Sequence, residues 1–208
     1  MKNVRLIGHP ILQHSLAILR DRRTDSAEFR RQLHEITRLL AYEASRDLAT
    51  CTIEIETPLA RTEAQIVSET PIVVSIMRAG NAMLDAMLSI MPFAAAGHIG
   101  IYRDKFINNT VEYYLKLPED ANGRRIYLVD PLLGTGDTVI ACIDRLKTYE
   151  VGRITFVCVL CSNVGLERLF HFHPDVDVYT LAIEPQLNEH GYLIPGLGDV
   201  GARLYKTL

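Results

Sequence analysis

The feature that most constrains the fold is the stretch Arg125-Ile126-Tyr127-Leu128-Val129-Asp130-Pro131-Leu132-Leu133-Gly134-Thr135-Gly136-Asp137-Thr138, continuing into Val139-Ile140-Ala141-Cys142-Ile143. Ile126 to Val129 is a short apolar run rich in β-formers, the pattern of a buried strand. Asp130 closes the run, Gly134-Thr135-Gly136 makes a tight turn, and Val139, Ile140, Ile143 and Leu146 then keep helical spacing. A strand, a glycine turn and a helix start make an anion site, because the first helical turn has unpaired N–H groups at the positive end of the dipole. The hydroxyls of Thr135 and Thr138 can add donors. Asp130 ends its strand where open parallel sheets bind ligands, and there it can accept hydrogen bonds from a sugar diol. Phosphate on one side and hydroxyls on the other point to a ribose phosphate. Taken alone, an ordinary βα connection without a ligand fits the same residues. Neither the lysine of the P-loop pattern nor Gly-x-Gly-x-x-Gly spacing is present.

The alternation repeats along the chain. Pro71 to Ile76 reads as a strand, followed by Arg78-Ala79-Gly80 and a helix over 81–91. Further strands are expected at His98–Tyr102, Ile154–Leu160 and Val176–Leu181, with a helix over 164–172. Strands alternating with helices predict an α/β fold, a parallel five-stranded sheet flanked by helices. Before this core, residues 1–23 read as an irregular or helical arm. Asp25 is placed to cap a helix, with Glu28 three residues later and Phe29, Leu33, Ile36, Leu40 and Ala44 on one face. Ile53 and Ile55, alternating with polar residues, predict a half-exposed strand that Pro58 limits, and 59–70 reads as a loop or weak strand. Residues 103–118 break the rhythm as a protruding hairpin. After residue 182 the pattern dissolves into Gly, Pro and Asn, although Tyr192, Leu193, Ile194 and Leu197 argue against disorder.

Composition excludes several classes. The chain has 208 residues, 48% hydrophobic and 23% charged, which suits one globular domain. A formal net charge of -3 without a Lys/Arg tract argues against nucleic acid as partner. No apolar run approaches the ~20 residues that span a bilayer, and no long apolar h-region follows Met1-Lys2-Asn3-Val4-Arg5. Cytoplasmic residence is the expectation. Cys158 and Cys161 have the spacing of a metal or redox pair, but within one strand residues three apart face opposite sides, so buried, unpaired thiols are expected there. His171 and His173 precede Pro174 in a helix-to-strand loop and are not expected to hold a metal.

The stretch opening at Arg125 resembles the 5-phosphoribosyl-1-diphosphate (PRPP) motif of type I phosphoribosyltransferases. Most of that superfamily carries two adjacent acids at the strand end, and Pro131 in the second place is characteristic of the uracil phosphoribosyltransferases. The resemblance extends to Ser75-Ile76-Met77-Arg78-Ala79-Gly80, Tyr102-Arg103-Asp104, His173-Pro174-Asp175-Val176-Asp177, and the long Leu187-Asn188-Glu189-His190-Gly191-Tyr192-Leu193-Ile194-Pro195-Gly196-Leu197-Gly198-Asp199. It implies a single domain over 1–208, with a core of about 60–182, a hood from about 1–24 and 183–208, and a β-arm of about 103–118 serving dimerisation.

The implied reaction transfers the 5-phosphoribosyl group from PRPP to uracil, giving UMP and diphosphate in pyrimidine salvage. PRPP binding falls to Arg78, Arg103, Asp130, Pro131, Leu132, Leu133, Gly134, Thr135, Gly136, Asp137, Thr138 and Asp199. Arg78 and Arg103 are expected on the diphosphate and Asp130 on the ribose hydroxyls, and these three are the expected catalytic residues. Uracil falls to Leu193, Gly198, Asp199 and Val200, largely through the main chain. Mg²⁺ is expected as cofactor, carried by PRPP without a direct protein ligand. A homodimer or homotetramer is expected, and the resemblance leaves open GTP as an allosteric effector. Departures stand at Asp137, where the subfamily usually has Gly, and at Val200 and Ala202, in place of a common Ala and Asp. A carboxylate beside a phosphate repels it unless the side chain points away. A related transferase for another base, or a non-catalytic PRPP-sensing relative, is the alternative.

Overall fold

The structure is a computed structural model that describes residues 3–104 and 109–207, and for residues 103, 104, 109 and 110 the backbone alone. In chain order the elements are β1 (Val4–Leu6), α1 (Pro10–Arg20), α2 (Ser26–Ala44), β2 (Thr50–Glu56), β3 (Arg61–Val67), β4 (Ile72–Met77), α3 (Asn81–Ile90), β5 (Ala95–Asp104), β6 (Asn109–Lys116), β7 (Ile126–Val129) and β8 (Leu132–Leu133). There follow α4 (Asp137–Lys147), β9 (Ile154–Val157), β10 (Leu160–Ser162), α5 (Asn163–Phe172), β11 (Asp177–Thr180), β12 (Ala182–Glu184), β13 (Gln186–Leu187), β14 (Leu193–Ile194) and α6 (Val200–Tyr205).

The main sheet runs β1-β11-β9-β7-β4-β5-β6. All its pairings are parallel except β5 with β6. The five expected strands are its contiguous centre, and β1 and β6 add an edge on each side. In β4, Ile72, Val74 and Ile76 face the core under α4 and α5, while Val73 faces the core under α1, α2 and α3. Strand β7 splits likewise: Ile126 and Leu128 go one way, Tyr127 and Val129 the other. Burial on both faces is why these strands read as unbroken apolar runs. On α2, Asp25 accepts from the N–H groups of Ala27 and Glu28 at 2.8 and 2.9 Å, and Phe29, Leu33, Ile36, Leu40 and Ala44 are fully buried.

Three neighbouring strands break at one level. After Val129, Val157 and Thr180 the chain kinks and resumes as β8, β10 and β12, a second parallel sheet ordered β12-β10-β8. Pro131 has no N–H to give a ladder, and its carbonyl accepts from Val159 and Leu160 at 2.9 and 3.2 Å. The break corrects one expectation. Cys158 lies at the kink, so alternation restarts before Cys161, and both thiols enter the same core instead of opposite faces. Burial pushes the Cys158 thiol up.

The N- and C-terminal segments meet over the carboxyl ends of the strands. Arg20 on α1 pairs with buried Glu184 and donates to the Gly196 carbonyl at 3.0 Å. Arg203 lies 4.2 Å from the Phe29 ring centroid and donates to the carbonyls of Leu197 and Asp21 at 3.0 and 2.7 Å. Strands β2 and β3 form a separate antiparallel ribbon, with Ile53, Ile55, Leu59 and Ile66 exposed. In the hairpin expected at 103–118, the β5–β6 ladder reaches Asp104 and Asn109, and residues 105–108 lie outside the described residues.

Candidate active site

Asp130 follows β7 at the kink. Burial alone pushes its carboxyl up to about 8, because low-dielectric surroundings disfavour the charged form. Pro131 and Leu133 are buried and support the loop from behind, Leu133 in register with Cys161. Gly136 caps α4 at φ 89°, a left-handed conformation that suits glycine, and Ile140 donates to its carbonyl at 2.9 Å. The N–H groups of Asp137, Thr138 and Val139 then open the helix without i−4 partners.

The back of this loop is held by α5. Ser162 donates its hydroxyl to the Gly134 carbonyl at 2.7 Å and accepts from the Gly165 N–H at 2.8 Å. Arg168 donates to the Thr135 carbonyl at 2.7 Å and to Asp137 Oδ1 at 2.6 Å. The Thr135 hydroxyl donates to Asp137 Oδ2 at 2.8 Å, so that donor is directed to the carboxylate and not to an anion in the turn. In a trans peptide the N–H points opposite to the C=O. Turning the carbonyls of Gly134 and Thr135 toward α5 therefore turns the N–H groups of Thr135 and Gly136 the other way. The result is a concave row of donors, continued by the first turn of α4. Sequence reasoning missed Ser162 and Arg168, whose partners lie 28 to 33 residues away.

Arg78 sits in the turn from β4 to α3. Gly80 packs so closely on the carbonyl of Val129 that a Cβ there would collide with it and with Ile76. That contact sets the Arg78 turn beside the end of β7 and Asp130. The Met77–Arg78 peptide is cis. The Arg78 carbonyl accepts from Tyr205 Oη at 3.1 Å, and its guanidinium carbon lies 5.9 Å from the Tyr205 ring centroid. Arg103 is at the end of β5, in register with Thr110, and its side chain lies outside the described residues.

The C-terminal segment closes the fourth side. Asp199 caps α6 by accepting from Ala202 N–H at 2.9 Å, and Tyr192 Oη reaches it at 3.4 Å. The Gly191 carbonyl stands 3.0 Å from where a Cβ on Gly134 would be, which brings this segment to the phosphate-type turn. Leu193 and Val200 bury their side chains in the core, and Gly198 is exposed at φ 70°. Among the described residues no group of three or more His, Cys, Asp or Glu side chains converges as a metal site. A cavity of about 440 Å³ lies at the other end of the sheet, among Asp47, Arg124, Arg125 and Arg153.

Solved structures share this architecture. The AQ2163 protein from Aquifex aeolicus aligns with a TM-score of 0.92 at 30% identity, covering 98% of both chains. Adenine phosphoribosyltransferase from Leishmania donovani aligns at 0.62 with 12% identity, covering 92% of this chain and 88% of its own. The fold is that of the type I phosphoribosyltransferases.

Sequence comparison narrows the class. The family model "Uracil phosphoribosyltransferase" matches residues 6–207. Uracil phosphoribosyltransferases of Polaromonas naphthalenivorans and Streptococcus uberis are 48% and 47% identical over 208 residues, covering all of both chains. The chain belongs to the uracil phosphoribosyltransferase family. Among the described residues no helix is long and apolar enough to cross a membrane.

Proposed function

We propose that this enzyme transfers the 5-phosphoribosyl group of PRPP to uracil, releasing diphosphate and forming UMP in pyrimidine salvage. The observation that carries the assignment of residues is the turn at Gly134–Thr138, whose carbonyls are tied to α5 so that its N–H groups face outward beside Asp130. That turn receives the 5′-phosphate. Asp130 accepts from the ribose hydroxyls and fixes the ring for attack. Uracil N1 bonds to C1 and loses its proton as the C1–oxygen bond to diphosphate breaks. Charge develops on the leaving diphosphate, where Arg78 and Arg103 stabilise it. The main chain at Leu193 and at Gly198-Asp199-Val200 reads the base edge.

Mg²⁺ enters on PRPP. That route suits Mg²⁺, which commonly keeps several waters and binds through substrate phosphates with one or two carboxylates. When bound it supplies further neutralisation of the diphosphate. The terminal segments act as a hood, residues 103–118 as an arm in a homo-oligomer, and GTP as an effector where the oligomer responds to it. Four free thiols suit a reducing cytoplasm.

Val200 and Ala202 are both buried, so their departures from the commoner residues fall in the packing under α6, and a related transferase for another base is the alternative that these two residues motivate. The test is UMP formation from PRPP and uracil with Mg²⁺, beside cytosine, xanthine, hypoxanthine and orotate. Turnover with uracil alone is expected. Turnover with a different base would overturn the assignment.

A further inference from the structure

The phosphate turn of this chain holds an acid, and an arginine on another element answers it. We infer that Arg168 is a positioning residue for PRPP, neutralising Asp137 and aiming the turn's N–H groups at the 5′-phosphate; this rests on the function proposed above. Arg168 makes two contacts with different consequences. Its hydrogen bond to the Thr135 carbonyl fixes that peptide plane and thereby points the Gly136 N–H away from α5. Its ion pair with Asp137 holds the carboxylate on the α5 side, with the Thr135 hydroxyl on the other oxygen. Asp137 is the first residue of α4, so its own N–H belongs to the donor row. A carboxylate at that place strengthens the helix end without a ligand and opposes a dianionic phosphate with one. One guanidinium N–H on that carboxylate offsets the opposition, while the other nitrogen holds the Thr135 carbonyl.

The alternative is that Arg168 merely ties α5 to the turn. Steady-state kinetics on four full-length proteins separate the two: wild type, Arg168→Ala, Asp137→Asn and the double variant, each checked by circular dichroism and thermal midpoint. Arg168→Ala is expected to raise KM for PRPP about tenfold, the weight of one charge-assisted contact, with kcat within about twofold. Adding Asp137→Asn to Arg168→Ala is expected to restore part of that KM, because the repulsion disappears with the carboxylate while the Thr135 carbonyl stays untied. An unchanged KM in Arg168→Ala, or a double variant no better than the single with the fold intact, overturns the proposal. If wild type turns over no base, calorimetric titration with ribose 5-phosphate carries the same comparison. The same weakening and rescue then supports the positioning role although the uracil assignment has failed, and no binding to wild type overturns both.

Discussion

The two ends of the central sheet both gather charged residues, and they treat them oppositely. At the amino ends of β7 and β9, Arg125 and Arg153 share Asp47 at 2.6 and 2.5 Å, and Arg153 also holds Asp177 at 2.6 Å. Burial raises the Asp47 carboxyl, but hydrogen bonds from Arg125 and Arg153 outweigh it and leave the group below its ordinary range. At the carboxyl end, Asp130 is pushed up to about 8 by burial alone. One end pairs its charges within the chain, although Arg125 Nε is buried there without a partner among the described residues. The other keeps a carboxyl that burial holds toward its neutral form, the kind of perturbed group that marks candidate functional sites.

The largest effect that tests this contrast is expected from Asp130→Asn. Turnover should fall by at least about a hundredfold, measured as UMP formation. Because the folded carboxyl titrates above its ordinary value of 3.8, its favourable contribution is complete below that value and lost as pH rises through about 8. The Asn variant has no such loss. Its thermal midpoint without substrate should therefore exceed that of wild type by more at pH 9 than at pH 5. A gap that stays constant with pH would break the comparison, since Asp130 would then be as well satisfied as Asp47.

Gly165→Ala should come next. A Cβ at Gly165 would collide with the Gly134 carbonyl and stand 3.1 Å from Ser162 Oγ, so the turn and α5 must move apart. About 1–3 kcal/mol of destabilisation is expected, together with a higher KM for PRPP and an unchanged KM for uracil. Equal weakening of both substrates would show that the turn and the base segment move as one body.

How far each end was legible in the sequence follows from the range of its contacts. Apolar runs located β4, β7, β9 and β11, because strands buried on both faces need no partner to be recognised. The stripe from Phe29 to Ala44 located α2 in the same way. Strand β1 has three residues and takes its identity from pairing with β11, so no periodicity announces it. The break after Val157 is invisible because Cys158 and Val159 continue the apolar run. Ribbon β2–β3 is exposed on both faces, and β3 therefore reads as polar. At the site, Asp130 and the glycine turn are contiguous and were legible. The Arg168 contact was not, since Asp137 gives notice of an unplaced charge without saying which of 22 Lys and Arg residues answers it.

The smallest effect on turnover is expected at the amino end, and it sharpens the contrast from the other side. Asp47→Asn removes the negative charge shared by Arg125 and Arg153 and replaces one of its two acceptor oxygens with a donor. Arg125 has a side chain only 8% exposed, so it cannot turn fully to water. It retains Glu69 at 4.0 Å and the face of Tyr127 at 5.2 Å from its guanidinium carbon. Asp47 itself is 44% exposed, and solvent screening lowers the cost below that of breaking a fully buried pair. About 1–2 kcal/mol of destabilisation is expected by urea unfolding, with kcat/KM for both substrates within about twofold of wild type. Loss of turnover on the scale of Asp130→Asn, without matching loss of stability, would mean that the amino end communicates with the site, and the division of labour between the two ends would fall.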